Sequence, residues 1–315
     1  MKAILATSNG AQVQDIALPQ PGPQEILVRV RAASLNRADL SVLASKDGRV
    51  MGMEWAGEVA QVGSAVTEWK PGDRVACSGV GAFAEYALAD RGRAIRIPDA
   101  LAFEDASAVM MACLTMHNAI ATVGRLQAGE AVLIHGASSG VGLMGLQIAK
   151  LLGAGVVIGT STSASRRDRL HEFGADHAVD PAEPDWVERI VAATSGKGVD
   201  LIVDQVTGPA FNQTMRACAV LGRIVNVGRL GGGMGPFDFE WHALRRITYS
   251  GVTFRTRSVH EIRDLTAAME RDLSGAIAER RLRLPIDKVF PLQDAASALS
   301  RMGSDAHFGK ILLTV

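Results

Sequence analysis

The stretch AVLIHGASSGVGLMGLQIAKLLGAGVVIGT, residues 131–160, decides the fold. It opens on a short apolar run, breaks at a turn of small residues, continues with an apolar helical period and closes on a second strand-like run. Strand, tight turn, helix and strand in that order form the context a dinucleotide fingerprint requires. Against G-x-G-x-x-G, Ala137 and Ser139 stand in the first two glycine positions and only Gly142 keeps the third, so the context carries more than the spacing. Ser138, Ser139, Gly140, Val141 and Gly142 are expected to aim unpaired backbone N–H groups at a pyrophosphate from a helix N-terminus. A generic tight βα turn is the alternative.

Downstream, the runs HAVD, DLIVDQV, GRIVNVG and ITYSGVTF repeat the pattern with helical segments between them. Six strands alternating with helices predict an α/β fold with a doubly wound parallel sheet of the Rossmann type. Upstream, residues 1 to about 120 read as mostly β: ILVRVRAASL falls in short apolar runs, EWAGEVAQVG is punctuated by glycine, and KPGDRVA is a turn leading into a strand. From about residue 258 the chain gives a helix, the PIDKVFPL segment, a helix from Gln293 to Arg301 and a closing strand GKILLTV. This tail is expected to complete the first domain. The expected division is a β-rich domain from 1–120 and 256–315, and a nucleotide-binding domain from 121–255, sharing one cleft.

The choice between NADPH and NADH is read at the end of the second strand, where an acid accepts from a ribose hydroxyl and a base holds a 2′-phosphate. No acid stands there. After VVIGT come Ser161, Thr162, Ser163, Ala164, Ser165, Arg166 and Arg167, hydroxyls followed by guanidinium groups suited to phosphate. NADPH is therefore the expected cofactor. A capped helix start with ordinary surface arginines, Arg167 and Arg169 among them, is the competing reading.

Lys and Arg total 33, as do Asp and Glu, which gives no electrostatic reason to expect nucleic acid or an anionic membrane as the main partner. No run approaches the roughly 20 uninterrupted apolar residues that span a bilayer, and the opening MKAILATSNGAQVQD lacks the pattern of a leader. A cytoplasmic protein is expected. Cys77, Cys113 and Cys218 are far apart and odd in number, which argues against a disulfide framework and for a reducing compartment.

Together, SLNRADL at 34–40, GMEWAGEVAQVG with WKPGDRV, HGASSGVG, FGADHAVD, GVDLIVDQVTG, GRIVNVG and HFGKILL resemble the zinc-free, zeta-crystallin-like quinone oxidoreductases of the medium-chain dehydrogenase/reductase superfamily. TFRTRS at 253–258 looks most like the bacterial quinone reductase-like members and their mammalian p53-inducible relative. The resemblance implies a GroES-like catalytic domain from both chain ends, a Rossmann domain between them, NADPH in the cleft and a homodimer joined through the nucleotide domains. Carried residue by residue, it places Asn36 and Asp39 beside nicotinamide and substrate, Gly140 and Val141 on the pyrophosphate, and Arg166 on the 2′-phosphate. It adds Gly228 and Arg229 after the fifth strand, Phe254 and Arg255 after the sixth, and Lys310 near the C-terminus as cofactor contacts.

The family's zinc enzymes need Cys and His ligands, but Asn36 stands for the first Cys and Met53 for the His of Gly-His-Glu. No metal ligand is expected. The tyrosine common near the adenosine phosphate is replaced by Asp180 and Pro181, and SVLASKDGRVM is short and lacks aromatic residues. The acceptor's identity stays open.

Asn36, the candidate catalytic residue, either bonds an acceptor carbonyl or fixes the cofactor, or it satisfies backbone groups of its loop. His117 is a conceivable proton donor, but in an apolar helix it reads more simply as core, as do Cys113, Met110, Met111 and Met116. Lys310 is cofactor-directed by resemblance and a solvated edge charge by ordinary expectation. The leading function is NADPH-dependent reduction of a quinone or related conjugated carbonyl, a small-molecule electron acceptor, by hydride or electron transfer. Reduction of activated C=C bonds in enones or enoyl thioesters stands second. A non-catalytic NADPH-binding structural or RNA-binding role stands third, Arg245, Arg246, Arg255 and Arg257 being its local basic cluster.

Overall fold

Apolar side chains recurring along ILVRVRAAS build the strand around which the first unit forms. The computed structural model describes all residues from Met1 to Val315. A hairpin of β1 (Lys2–Thr7) and β2 (Gly10–Asp15) precedes β3 (Glu25–Ser34), α1 (Arg37–Ser45), β4 (Glu54–Val62), β5 (Arg74–Ser78), β6 (Tyr86–Asp90) and β7 (Ala94–Arg96). Then follow α2 (Phe103–His117), β8 (Ala131–His135), α3 (Gly140–Leu151), β9 (Val156–Thr160), α4 (Ala164–Arg167), β10 (His177–Val179) and α5 (Trp186–Ala193). The chain continues through β11 (Val199–Asp204), α6 (Phe211–Arg216), β12 (Cys218–Asn226), α7 (Phe239–Arg245) and β13 (Thr248–Gly251). It ends with α8 (Val259–Ala278), β14 (Ile286–Pro291), α9 (Ala295–Gly303) and β15 (Lys310–Thr314). Two compact units result, one of Met1–Met111 with Ser258–Val315 and one of Ala112–Arg257.

In the first unit the sheet runs β14-β15-β3-β4-β5-β7, with β6 also on β3. One edge of β3 is shared: Ala32 to Ser34 pair with β15, and Glu25 to Arg29 pair with β6. Such sharing curls a sheet on itself and encloses a core, here with Trp55, Ile26, Val28, Phe83 and Ile311. The helix that leads into β14, α8, is amphipathic: Ile262, Leu265, Met269, Leu273, Ala276 and Ile277 are buried at three- and four-residue spacing. Ser258 and Glu261 cap it reciprocally.

The second unit is the doubly wound α/β sheet, with strand order β10-β9-β8-β11-β12-β13 and every pairing parallel. The six expected runs are these six strands. The order reverses between β8 and β11, so this is the topological switch point at which such sheets take their ligands. The segment Phe103–Val123 is long and apolar enough to cross a membrane by length and composition, yet 78% of its apolar window is buried within the protein. It is accounted for as a core helix.

Candidate functional site

The glycine-rich turn sits at the C-terminal end of β8. Gly136 has φ +83°, and Ser139 is the N-cap of α3, its Oγ accepting from Gly142 N–H at 3.0 Å. Leu143 N–H goes to the Ser139 carbonyl, which leaves Gly140 and Val141 N–H without an acceptor inside the helix. The third glycine is sterically obligatory: a Cβ on Gly142 would lie 2.7 Å from Ala137 Cα, Ala137 O and Gly136 O, all backbone atoms. A helix start held this close to its strand, with two N–H groups at its head, is built to accept an anion.

Past β9, Ser161 is buried and its Oγ donates to Ser138 Oγ at 3.0 Å, tying the hydroxyl loop to the glycine turn. Ser163 is the N-cap residue of α4, and its Oγ lies 3.3 Å from Ser165 Oγ. The two neighbouring arginines divide. Arg167 donates to the Ser161 carbonyl and to Asp180, each at 2.8 Å, so its guanidinium is a strut between loop and β10. Arg169 pairs with Glu172. Asp180, noted in the sequence only as a departure, is thus the anchor that holds Arg167.

Gly228 follows β12 and packs on Gln205, whose carbonyl would lie 2.7 Å from a Cβ there, and Arg229 comes next on the same loop. Phe254 and Arg255 follow β13, with Arg255 N–H donating to Thr253 Oγ1. All these positions lie just beyond the C-terminal ends of the unit's strands.

The candidate residues of the first unit form a buried cluster. Lys310 Nζ lies 2.5 Å from Glu54 Oε1 and donates to Asn36 Oδ1 at 3.2 Å, while Asn36 Nδ2 donates to Glu54 Oε1 at 2.9 Å. Glu54 Oε2 accepts from Met111 N–H at 2.7 Å. Lys310 is only 4% exposed, so it is not a solvated edge charge. The side-chain amide of Asn36 is thus engaged with both Lys310 and Glu54. Glu54 was not singled out in the sequence, although it stands in the Glu position of the Gly-His-Glu motif whose His is replaced by Met53.

Asp39 is fully buried and accepts from Asn36 N–H at 2.7 Å through Oδ2, while Oδ1 has no partner. Burial pushes its carboxyl up to about 7, against the opposing pull of the Asn36 N–H and of Lys310. One ammonium faces two carboxylates, so the proton on Asp39 restores neutrality. Because the folded value exceeds the unfolded one, the contribution is fully present at low pH and is lost as pH rises from about 4 through about 7. We therefore expect Asp39→Asn to flatten that limb of a stability profile measured by urea unfolding. An unchanged slope between those values would remove Asp39 as its source. His117 is also buried, in α2.

These elements define a chain of two units, one built on a curled, mostly antiparallel sheet and one on a doubly wound parallel sheet of the Rossmann type. The profile of the family described as "Alcohol dehydrogenase GroES-like domain" matches residues 22–99, and that described as "Zinc-binding dehydrogenase" matches residues 140–271. A mycocerosic acid synthase-like polyketide synthase of Mycobacterium tuberculosis is 34% identical over 306 residues, covering 94% of this chain and 14% of that protein. The chain thus spans about a seventh of such a relative. The Escherichia coli quinone oxidoreductase solved with NADPH superposes with a TM-score of 0.90 at 26% identity, covering 100% of both chains. The CurK enoyl reductase superposes at 0.87 with 25% identity, covering 99% of each. The chain belongs to the medium-chain dehydrogenase/reductase superfamily.

Proposed function

We propose that this protein is an NADPH-dependent, zinc-independent reductase of quinones or related conjugated carbonyl compounds. The observation that carries the reading is the composition of the buried cluster. The "Zinc-binding" in the family description implies a metal, but no group of three or more His, Cys, Asp or Glu side chains is arranged to hold one. Where a ligand set would be needed, the Lys310 ammonium lies against Glu54, and Asn36 and Met53 offer no thiolate or imidazole. Without a Lewis acid to polarise an ordinary carbonyl, the acceptor must already be electrophilic, which conjugated carbonyls are.

NADPH fits the second unit. Gly140 and Val141 N–H would meet its pyrophosphate, the contact surface past Gly142 leaves no room for a side chain, and Thr162, Ser163 and Arg166 would hold the 2′-phosphate. When bound it supplies the hydride. The protein's own contribution is orientation and exclusion of water, with Gly228, Arg229, Phe254 and Arg255 as further contacts at the strand ends. Arg166→Ala is expected to raise the Kd of NADPH by roughly tenfold or more while leaving NADH nearly unchanged, since a charge-assisted bond is lost only in the first case. Arg167→Ala should lower stability with little change in that ratio, because Arg167 is tied to Asp180. Fluorescence titration with both nucleotides checks this, and equal effects of Arg166→Ala on the two would remove the 2′-phosphate assignment.

A second reading, reduction of activated C=C bonds in enones or enoyl thioesters, is favoured by the likeness to the CurK enoyl reductase and to polyketide synthases. It differs in needing a proton delivered to carbon. Nicotinamide oxidation against a benzoquinone, an enone and a crotonyl thioester separates the two: turnover of the quinone alone supports the first, turnover of the C=C substrates the second, and none of either kind refutes both.

The reading includes a homodimer. Phe239 and Leu244 on α7 are 76% and 66% exposed, and a chain of ring contacts runs from Tyr249 on edge strand β13 through Phe211 and Phe237 to Phe239. A second copy covering this apolar edge is expected, and Phe239→Glu with Leu244→Glu should shift sedimentation mass from dimer to monomer. A wild-type chain that sediments as a monomer would overturn it.

A further inference from the structure

The turn after β8 lacks two of the three glycines of its motif, yet its limbs are held together from the neighbouring strand. His135, the last residue of β8, is registered against Asp204, the last residue of β11, at the switch point of the sheet. Gln205 comes next and is 5% exposed. Its backbone N–H donates to the His135 carbonyl at 3.2 Å. Its side chain reaches both limbs of the turn: Nε2 donates to the Gly136 carbonyl at 3.1 Å and to the His135 carbonyl at 3.4 Å, and Oε1 accepts from Ser139 Oγ at 2.9 Å. The same Ser139 Oγ accepts from Gly142 N–H. One amide therefore connects the end of β8, the first residue of the turn and the cap of α3.

The base of this strut is itself fixed. Asp204 Oδ1 accepts from Val206 N–H at 2.8 Å and Thr207 N–H at 3.1 Å. Thr207 is held at a positive φ of +55°, costly for a β-branched residue, with its Oγ1 donating to the Gly232 carbonyl at 2.9 Å. On the other side, Leu230 N–H donates to the Gln205 carbonyl at 3.0 Å, which joins the strut to the loop carrying Gly228 and Arg229. A hydrogen-bonded segment supporting a buried amide that bonds to the end of β8 and to the turn is an arrangement for setting geometry.

We propose that Gln205 is a positioning residue for the pyrophosphate: through Gly136 and Ser139 it sets the turn so that the N–H groups of Gly140 and Val141 converge on one anion. This rests on the dinucleotide reading of the second unit. It does not depend on which acceptor is reduced.

The full chain and its Gln205→Leu, Ser139→Ala and doubly substituted forms would be titrated with NADPH, NADH and adenosine 2′-monophosphate. Gln205→Leu is expected to raise the Kd of NADPH and NADH by the same factor, about tenfold, because the pyrophosphate is common to both. The affinity for adenosine 2′-monophosphate, which has no pyrophosphate, should stay as in the wild type. Ser139→Ala removes the same link from the other end without altering the strand, and the double substitution should cost little more than either single one. A general loosening of the fold would weaken all three ligands together and overturn the proposal. So would wild-type affinity for NADPH in Gln205→Leu. If the wild type binds neither dinucleotide, the cofactor reading falls and this proposal with it, whereas tight wild-type binding left unaltered by both single substitutions refutes the proposal alone.

Discussion

Gly142→Val is expected to lose nucleotide binding by roughly a hundredfold, the equivalent of about 3 kcal/mol, and to destabilise the second unit as well. Even the Cβ meets three backbone atoms at 2.7 Å, and none of them belongs to a flexible side chain that could swing aside. The first turn of α3 must therefore move away from β8, carrying with it the N–H groups of Gly140 and Val141. Overpacking of this kind costs about 1–3 kcal/mol, so denaturant unfolding and a nucleotide titration on the same preparation should both respond. A Kd within about threefold of wild type would mean that the turn does not hold the pyrophosphate.

Lys310→Met should be the most destabilising single change in the first unit, at about 3–5 kcal/mol. It removes the ammonium that lies against Glu54 and leaves that buried carboxylate with no cation, beside the equally buried Asp39. The pair as such contributes less than this figure, because its formation already costs two desolvations. Accordingly Glu54→Gln combined with Lys310→Met should be more stable than Lys310→Met alone, an outcome that urea unfolding of the two variants decides. A Lys310→Met protein within about 1 kcal/mol of wild type would contradict the assignment of Lys310 as the counter-charge of the cluster.

What could be read along the chain and what could not divide by distance in sequence. The β8–α3–β9 unit was legible because its signals are local: an apolar run, small residues at the turn, Ser139 before the helix and Gly142 within it. The remaining strands of the parallel sheet followed from the same apolar pattern, and α8 from its buried spacing. The buried cluster was only half legible. Asn36, Asp39 and Lys310 were marked by their motifs, but Lys310 meets Asn36 across 274 residues and Glu54 across 256, and no local pattern states that a terminal-strand lysine is interior. The tie between Arg167 and Asp180 was invisible for the same reason, since the acid that fixes Arg167 lies 13 residues on, in what read as a departure from the family pattern. Gln205 carried no signal at all: a glutamine after an apolar strand is unremarkable until β8 is beside it.

The most direct measurement is steady-state NADPH oxidation with phenanthrenequinone as acceptor, before and after exhaustive treatment of the protein with a strong zinc chelator. The account predicts turnover with NADPH that is the same in both preparations. Loss of activity on chelation, restored by added zinc, would contradict it.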